Sequence, residues 1–266
     1  MCGRAVFSLS RARVAKVAGL SDLSLVPVEV DIHRYNLCPT DSLVCVVDDT
    51  STHERSIRMM KWGIEPRFSV SRSLSTINAR IETVSTSKLY GPLVDRFRCV
   101  VIVDGFYEWK QEKSEKIAYL IRNDSKVSER PILSSAETHV HISAEEGCVL
   151  PLGVSPLLFA AIYDDSTVSI LTTDSIGPCA AIHSRMPVLL SPESAQEWLS
   201  PASFESVFST VFQSSRSLAK DLVCIQVSSK VNSVANKGIE LTEPIREIRK
   251  RSFEAGLGKF FTKKPR

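Results

Sequence analysis

The chain opens Met-Cys-Gly-Arg, and removal of Met1 would leave Cys2 carrying two nucleophiles on adjacent carbons, an α-amine and a thiol. An α-amine titrates near about 8 and a thiol near about 8.5, so both supply a reactive fraction at neutral pH. An aldehyde that meets the pair can condense with the amine to an imine. The sulfur can then add to the same carbon and close a five-membered thiazolidine, which a serine could not do. The bland alternative is that position 2 has no role. Three further segments hold groups able to assist such chemistry. Asn78-Ala79-Arg80 with Glu82-Thr83 gathers an amide, a guanidinium and a carboxylate after an apparent loop, although a solvated turn would look alike. Glu108 lies in Gly105-Phe106-Tyr107-Glu108-Trp109 directly after an apolar run. A carboxylate among aromatic residues tends to have a raised pKa and can serve as acid or base, and the alternative is an aromatic hairpin with an outward glutamate. His183 stands in a mostly apolar stretch beside Arg185-Met186-Pro187, where a histidine can transfer protons near neutral pH or simply pack.

Composition narrows the class. A chain of 266 residues with 43% apolar content is long enough for one large domain or two small ones. No apolar run approaches the roughly 20 residues of a membrane span, and the first residues lack the regions of a signal peptide, so a soluble intracellular protein is expected. Seven scattered cysteines with no C-x-x-C pair predict reduced thiols rather than a disulfide framework or a zinc site. No cysteine pair accompanies His139 and His141, and neither a metal nor a cofactor is expected. A net charge of +3 is too mild to prove nucleic-acid binding, so any such site must be a local patch.

Periodicity supplies the elements that must position these groups. Residues 11–20 read as an amphipathic helix, with Val14, Val17 and Ala18 on one side. Strands are predicted at 43–47, 57–64 and 99–103, the last entering a tight turn at Asp104-Gly105. Residues 117–121 answer the 99–103 strand as a hairpin, and 157–163 with 168–172 form another pair. Ser191 and Pro192 open a helix over 191–199, and 222–227 is a last strand. Residues 123–156 read as an irregular insertion. Strands with irregularly placed helices favour α+β over a regular βαβ succession. One domain over 1–245 is expected, followed by a basic tail over 246–266.

Taken together, the ordered segments resemble one known family. Cys2-Gly3-Arg4, Tyr35-Asn36 with Pro39, Trp62-Gly63 with Pro66, Asn78-Ala79-Arg80 with Glu82-Thr83, Gly105 to Trp109, Thr172-Thr173, and His183 with Arg185-Met186-Pro187 occur in the order seen in the SRAP (SOS response-associated peptidase) family. The resemblance implies a single α+β domain with a β-barrel-like core and peripheral helices, and a groove for single-stranded DNA containing abasic sites. It implies covalent capture of the lesion through the processed N-terminal cysteine. Cys2 would be the nucleophile, Asn78 would position the sugar and the N-terminus, Glu108 would handle the amine proton and His183 the sugar-oxygen proton. Arg4, Arg80 and Arg185 would hold flanking phosphates, and Pro39 and Phe68 would lie where neighbouring DNA bends or stacks. The family's name also implies a peptidase activity, which leaves two routes to the loss of Met1: removal by the protein itself or by a host aminopeptidase. The chain departs from the family pattern at Glu65, an unfavourable charge near a DNA path, and at Phe68, a smaller stacking surface than tryptophan.

In the tail, Leu257, Phe260 and Phe261 match part of a sliding-clamp interaction motif, with Glu254 in place of its usual glutamine. A clamp contact would place the protein at replication forks in a nucleus if the source is eukaryotic, and in the cytoplasm otherwise. Two rival readings share parts of this pattern. A class II glutamine amidotransferase-like hydrolase also begins with Met-Cys-Gly and uses the cysteine's own amine as base. A noncatalytic reader of modified DNA bases would leave Cys2 a bystander.

Overall fold

Runs of β-branched residues dominate the chain, and they build a closed strand system with an open sheet laid against it. The computed structural model describes residues 2–49, 54–66, 76–124 and 155–245. Phe68, the insertion with His139, His141 and Cys148, and the tail with Leu257, Phe260 and Phe261 lie outside the described residues. The order is β1 (Ala5–Phe7), α1 (Arg11–Ala18), β2 (Arg34–Leu37), β3 (Ser42–Asp48), β4 (Arg55–Trp62), β5 (Asn78–Arg80) and β6 (Arg98–Val103). It continues with β7 (Gly105–Glu112), β8 (Glu115–Asn123), β9 (Leu157–Asp164), β10 (Thr167–Asp174), β11 (Arg185–Pro187), α2 (Pro192–Leu199), α3 (Phe204–Leu218) and β12 (Leu222–Gln226).

One sheet runs β11-β10-β4-β3-β6-β9, and β9 also pairs with β10, which closes a ring of five strands. That closure is the barrel-like core expected from the family resemblance, and it leaves β9 and β10 without a free edge. The strands β6 and β9 are buried on both faces, which explains their continuous apolar sequences RCVVIV and LLFAAIYD. The second sheet runs β12-β8-β7-β1-β2. Along β7 the side chains alternate, so Phe106 joins the main core while Tyr107 packs with Val6, Leu120 and Val227 on the opposite face. Glu108, two residues after Phe106, therefore faces inward.

The helices start and stop where their caps demand. Ser10 accepts from Arg13 N–H at the start of α1, and Gly19 ends it at φ 71°. Ser191 and Ser194 form a reciprocal capping box at α2 with Pro192 at its first position. The structure corrects the sequence reading in three places. The 117–121 strand pairs with β7, not with the 99–103 strand, because the segment that looked like a turn is itself a strand crossing into the other sheet. At that crossing a Cβ on Gly105 would lie 2.8 Å from Ile121 O, so only glycine fits. Asn78–Arg80, read as following a loop, is a strand paired in parallel with β10. Helix α3 was missed because its sequence FESVFSTVFQSSRSL is rich in poor helix formers. Its signal was the spacing of the buried Phe204, Val207, Val211 and Ser215 after the Ser203 cap.

Candidate active site

The N-terminus reaches the junction of the two sheets because β1 pairs with β7. Ala5 opposes Phe106, and Tyr107 N–H donates to Arg4 O at 3.0 Å, so the pairing extends past the strand and lays the start of the chain along Glu108. Cys2 is fully buried. Burial, and next the nearby Glu108 charge, push its thiol pKa well up. Its carbonyl accepts from Asn78 Nδ2 at 2.7 Å.

Strand β10 frames the opposite side. Ile170 to Thr172 pair with Asn78 to Arg80, and Thr172 to Asp174 pair with Pro187 to Arg185 on the other edge. Asn78 and Arg80 thus share one face of β5, with Ala79 buried on the other. The buried Asn78 Oδ1 has no hydrogen-bond partner among the described residues. Tyr90 Oη–H lies 3.4 Å from Asn78 O and 3.3 Å from Ser169 Oγ, which braces the strand from behind.

His183 follows a short 3₁₀ turn, Gly177–Ala181, between β10 and β11, and its N–H donates to Cys179 O at 3.0 Å. Arg185 N–H donates to His183 Nδ1 at 3.0 Å. Arg185 O lies 3.2 Å from the same nitrogen, so Nδ1 accepts from the amide in one tautomer and donates to the carbonyl in the other. His183 is close enough to act on Glu108 electrostatically. Burial raises the Glu108 pKa, and nearby positive charge opposes that rise. Cys2, Asn78, Glu108 and His183 therefore converge from four separate segments. Tyr107 and Trp109, which looked like neighbours of Glu108 in sequence, point to the opposite face, and burial comes from the core side instead.

The three arginines differ. Arg4 lies on the outer face of β1, where it donates to Asn36 Oδ1 and Val231 O at 2.8 Å each and its Cζ stands 5.8 Å from the Trp109 ring centroid. All these partners are neutral, and among the described residues no carboxylate pairs with it. Arg80 is exposed at the end of β5. Arg185 donates to Glu82 at 2.8 and 3.0 Å, to Asp174 at 2.7 Å and to Thr172 O at 2.6 Å. Pro39 stands exposed in a turn closed by Asp41 N–H to Cys38 O at 3.0 Å, with Thr40 at φ 77°. That φ strains a β-branched residue.

Sequence reasoning gave no supporting role to three residues. Asn36 is fully buried and donates to the carbonyls of Ser233 and Asn236 while orienting Arg4. Asp104 is buried just before β7 and accepts from Ser8 N–H and Oγ–H at 2.5 and 2.9 Å, which ties β1 to β7. Asp174 completes the Arg185 cage. A buried Asn beside Tyr35 and an Asp before Gly105 were the available signals. Among the described residues no three His, Cys, Asp or Glu side chains gather to hold a metal ion.

Comparison with known proteins gives a consistent picture. The family model described as SOS response associated peptidase (SRAP) matches residues 1–234. The abasic site processing protein YedK of Escherichia coli is 30% identical over 250 residues, covering 92% of this chain and 100% of the relative. YoqW of Bacillus subtilis, which bears the same description, is 30% identical over 212 residues, covering 79% of this chain and 85% of the relative. The abasic site processing protein HMCES of Gallus gallus is 28% identical over 268 residues, covering 92% of this chain and 78% of the relative. Among solved structures, a protein from Bacteroides thetaiotaomicron superposes with a TM-score of 0.65 at 20% identity, covering 92% of this chain and all of that one. At that identity the likeness speaks for the fold.

Proposed function

The chain belongs to the SRAP family, and from that premise we propose that it captures abasic sites in single-stranded DNA as a thiazolidine at Cys2. The observation that carries the reading is the convergence of the Cys2 backbone, the Asn78 amide, the Glu108 carboxylate and the His183 imidazole at one sheet junction. The relatives named for abasic site processing supply the substrate class.

An abasic deoxyribose is mostly a closed hemiacetal, and opening it to the aldehyde needs a proton on the ring oxygen. His183, close to Glu108 at the sheet junction, is the group assigned to supply it. Removal of Met1 frees the Cys2 amine, whose ammonium proton passes to Glu108. Burial keeps that carboxylate basic enough to accept it. The amine attacks C1′, and loss of one water gives the imine. The Cys2 sulfur then adds to C1′ and its proton leaves to a base, which closes the ring. Because burial holds the thiol neutral, the amine reacts first and the sulfur traps its product. Trapping removes the imine, which would otherwise promote β-elimination and strand cleavage.

The unfilled Oδ1 of Asn78 is an acceptor for a sugar hydroxyl or the processed amine. Arg80 and Arg4 supply charge for flanking phosphates, contacts that position a strand without reading its sequence. Arg185 is assigned a different part from the one the resemblance implies: its cage of Glu82, Asp174 and Thr172 fixes the backbone that orients His183. Contact of Leu257, Phe260 and Phe261 with a sliding clamp, and a nuclear location in a eukaryote, extend the same reading. Met1-processed protein mixed with single-stranded DNA should give a heat-stable shifted band on a denaturing gel only when the strand carries an abasic site. Cys2→Ala should abolish the band. Equal crosslinking by Cys2→Ala would overturn the mechanism, and glutamine hydrolysis without crosslinking would favour the amidohydrolase reading.

A further inference from the structure

We propose that Cys179 and Cys224 are a redox pair, which a hydroperoxide converts to a disulfide tethering the His183-bearing turn to the sheet that carries Glu108. Cys179 lies in the turn between β10 and β11, and its carbonyl is the acceptor for His183 N–H at 3.0 Å. Cys224 lies on β12, opposite Ile121 of β8, which in turn opposes Phe106 of β7, two residues from Glu108. Strand β12 packs directly against the Gly177–Ala181 turn, which brings the two thiols within electrostatic reach of each other. A bond between them would therefore join the two halves of the candidate site behind its reacting groups.

Accessibility singles out this pair. Cys45 and Cys99 also interact with each other, but both are fully buried inside the barrel wall. Cys224 is half-buried and reachable, while Cys179 behind it is 2% exposed. Interaction with the Cys179 thiol lowers the pKa of Cys224, and the reciprocal interaction together with burial raises that of Cys179. Cys224 is accordingly the attacking thiolate and Cys179 the resolving thiol. Cys224 sulfur attacks one peroxide oxygen, the O–O bond breaks, and Cys224 becomes a sulfenic acid with release of water or an alcohol. Cys179 sulfur then attacks the sulfenic sulfur, the S–O bond breaks, and hydroxide leaves with the Cys179 proton as a second water. Two thiols lose two electrons in total and the peroxide gains them. Cys2 is buried with a raised pKa and should react more slowly.

The test treats the full-length protein with hydrogen peroxide, alkylates the remaining thiols, and reads intact mass and linked peptides. The expected result is loss of two hydrogens, a Cys179–Cys224 peptide, recovery on reduction, and slowed hydrogen exchange at the His183 amide in the oxidised form. Cys224→Ser, at a half-buried position, should fold normally and show no such loss. A Cys2–Cys179 link, sulfinic acid at Cys224 with Cys179 still alkylated, or an unchanged mass would each overturn the proposal, as would a two-hydrogen loss that persists in Cys224→Ser.

Discussion

Two carboxylates meet the His183 segment from opposite sides, and their surroundings give them opposite properties. Glu108 is 3% exposed, and burial raises its pKa. Glu82 sits at the rim. Its burial also works to raise its pKa, but hydrogen bonds from the Arg185 guanidinium outweigh that and hold it below the usual carboxylate range. Residue type is the same, so environment alone separates the carboxylate proposed to handle a proton from a fixed counter-charge. The arginines divide in the same way: Arg185 is neutralised by two carboxylates, while among the described residues Arg4 and Arg80 form no ion pair.

Removing the buried carboxylate should produce the largest effect. Glu108→Gln keeps the shape and removes the base, so crosslinking to abasic DNA should slow by about 10²- to 10⁴-fold with little change in melting temperature. Initial rates from quenched gel time courses check this. A loss below tenfold would mean that Glu108 is only packed.

A third carboxylate, Asp104, sharpens the comparison because it is buried without being assigned any chemistry. Burial raises its pKa to about 6 from an ordinary 3.8, with the Ser8 hydrogen bonds pulling the other way. The native state therefore binds the proton more tightly than the unfolded chain. Stability present below pH 3.8 is lost as pH rises through about 6, by about 3 kcal/mol for a shift of this size, and then levels off. Asp104→Asn should flatten the dependence between pH 4 and 6 in denaturant titrations.

The arginine contrast predicts a smaller, different signature. Arg80→Ala should weaken binding to single strands of any sequence and reduce the salt slope by about 1. Arg185→Ala should leave the salt slope unchanged and slow crosslinking through a misplaced His183. Equal loss of slope in both would show that Arg185 leaves its cage to hold phosphate. The smallest effect belongs to Glu82→Gln. An exposed pair contributes about 0.2–1 kcal/mol, and Asp174 still holds Arg185.

Much of this was legible before any coordinates, and the gaps have physical causes. The apolar runs of β3, β6 and β9 announce buried strands, and the Ser191-Pro192 cap announces α2. The four candidate residues Cys2, Asn78, Glu108 and His183 stood out through their chemistry and order. What local pattern could not supply was pairing over distance. Three-residue β5 is a strand only because β10 accepts it in parallel, and the Arg185–Glu82 bond spans 103 residues. The inward aim of Glu108 required knowing that the segment Gly105 to Trp109 was a strand at all. Once it is, alternation alone assigns Phe106 and Glu108 to one face and Tyr107 to the other.

The most direct test of the central claim is mass spectrometry of the N-terminal peptide after Met1-processed protein reacts with abasic single-stranded DNA without any reductant. The account predicts a heat-stable adduct on Cys2 equal to peptide plus sugar fragment less one water, with the Cys2 thiol no longer alkylatable. An adduct that survives only after hydride reduction, or one whose Cys2 thiol remains alkylatable, would contradict it.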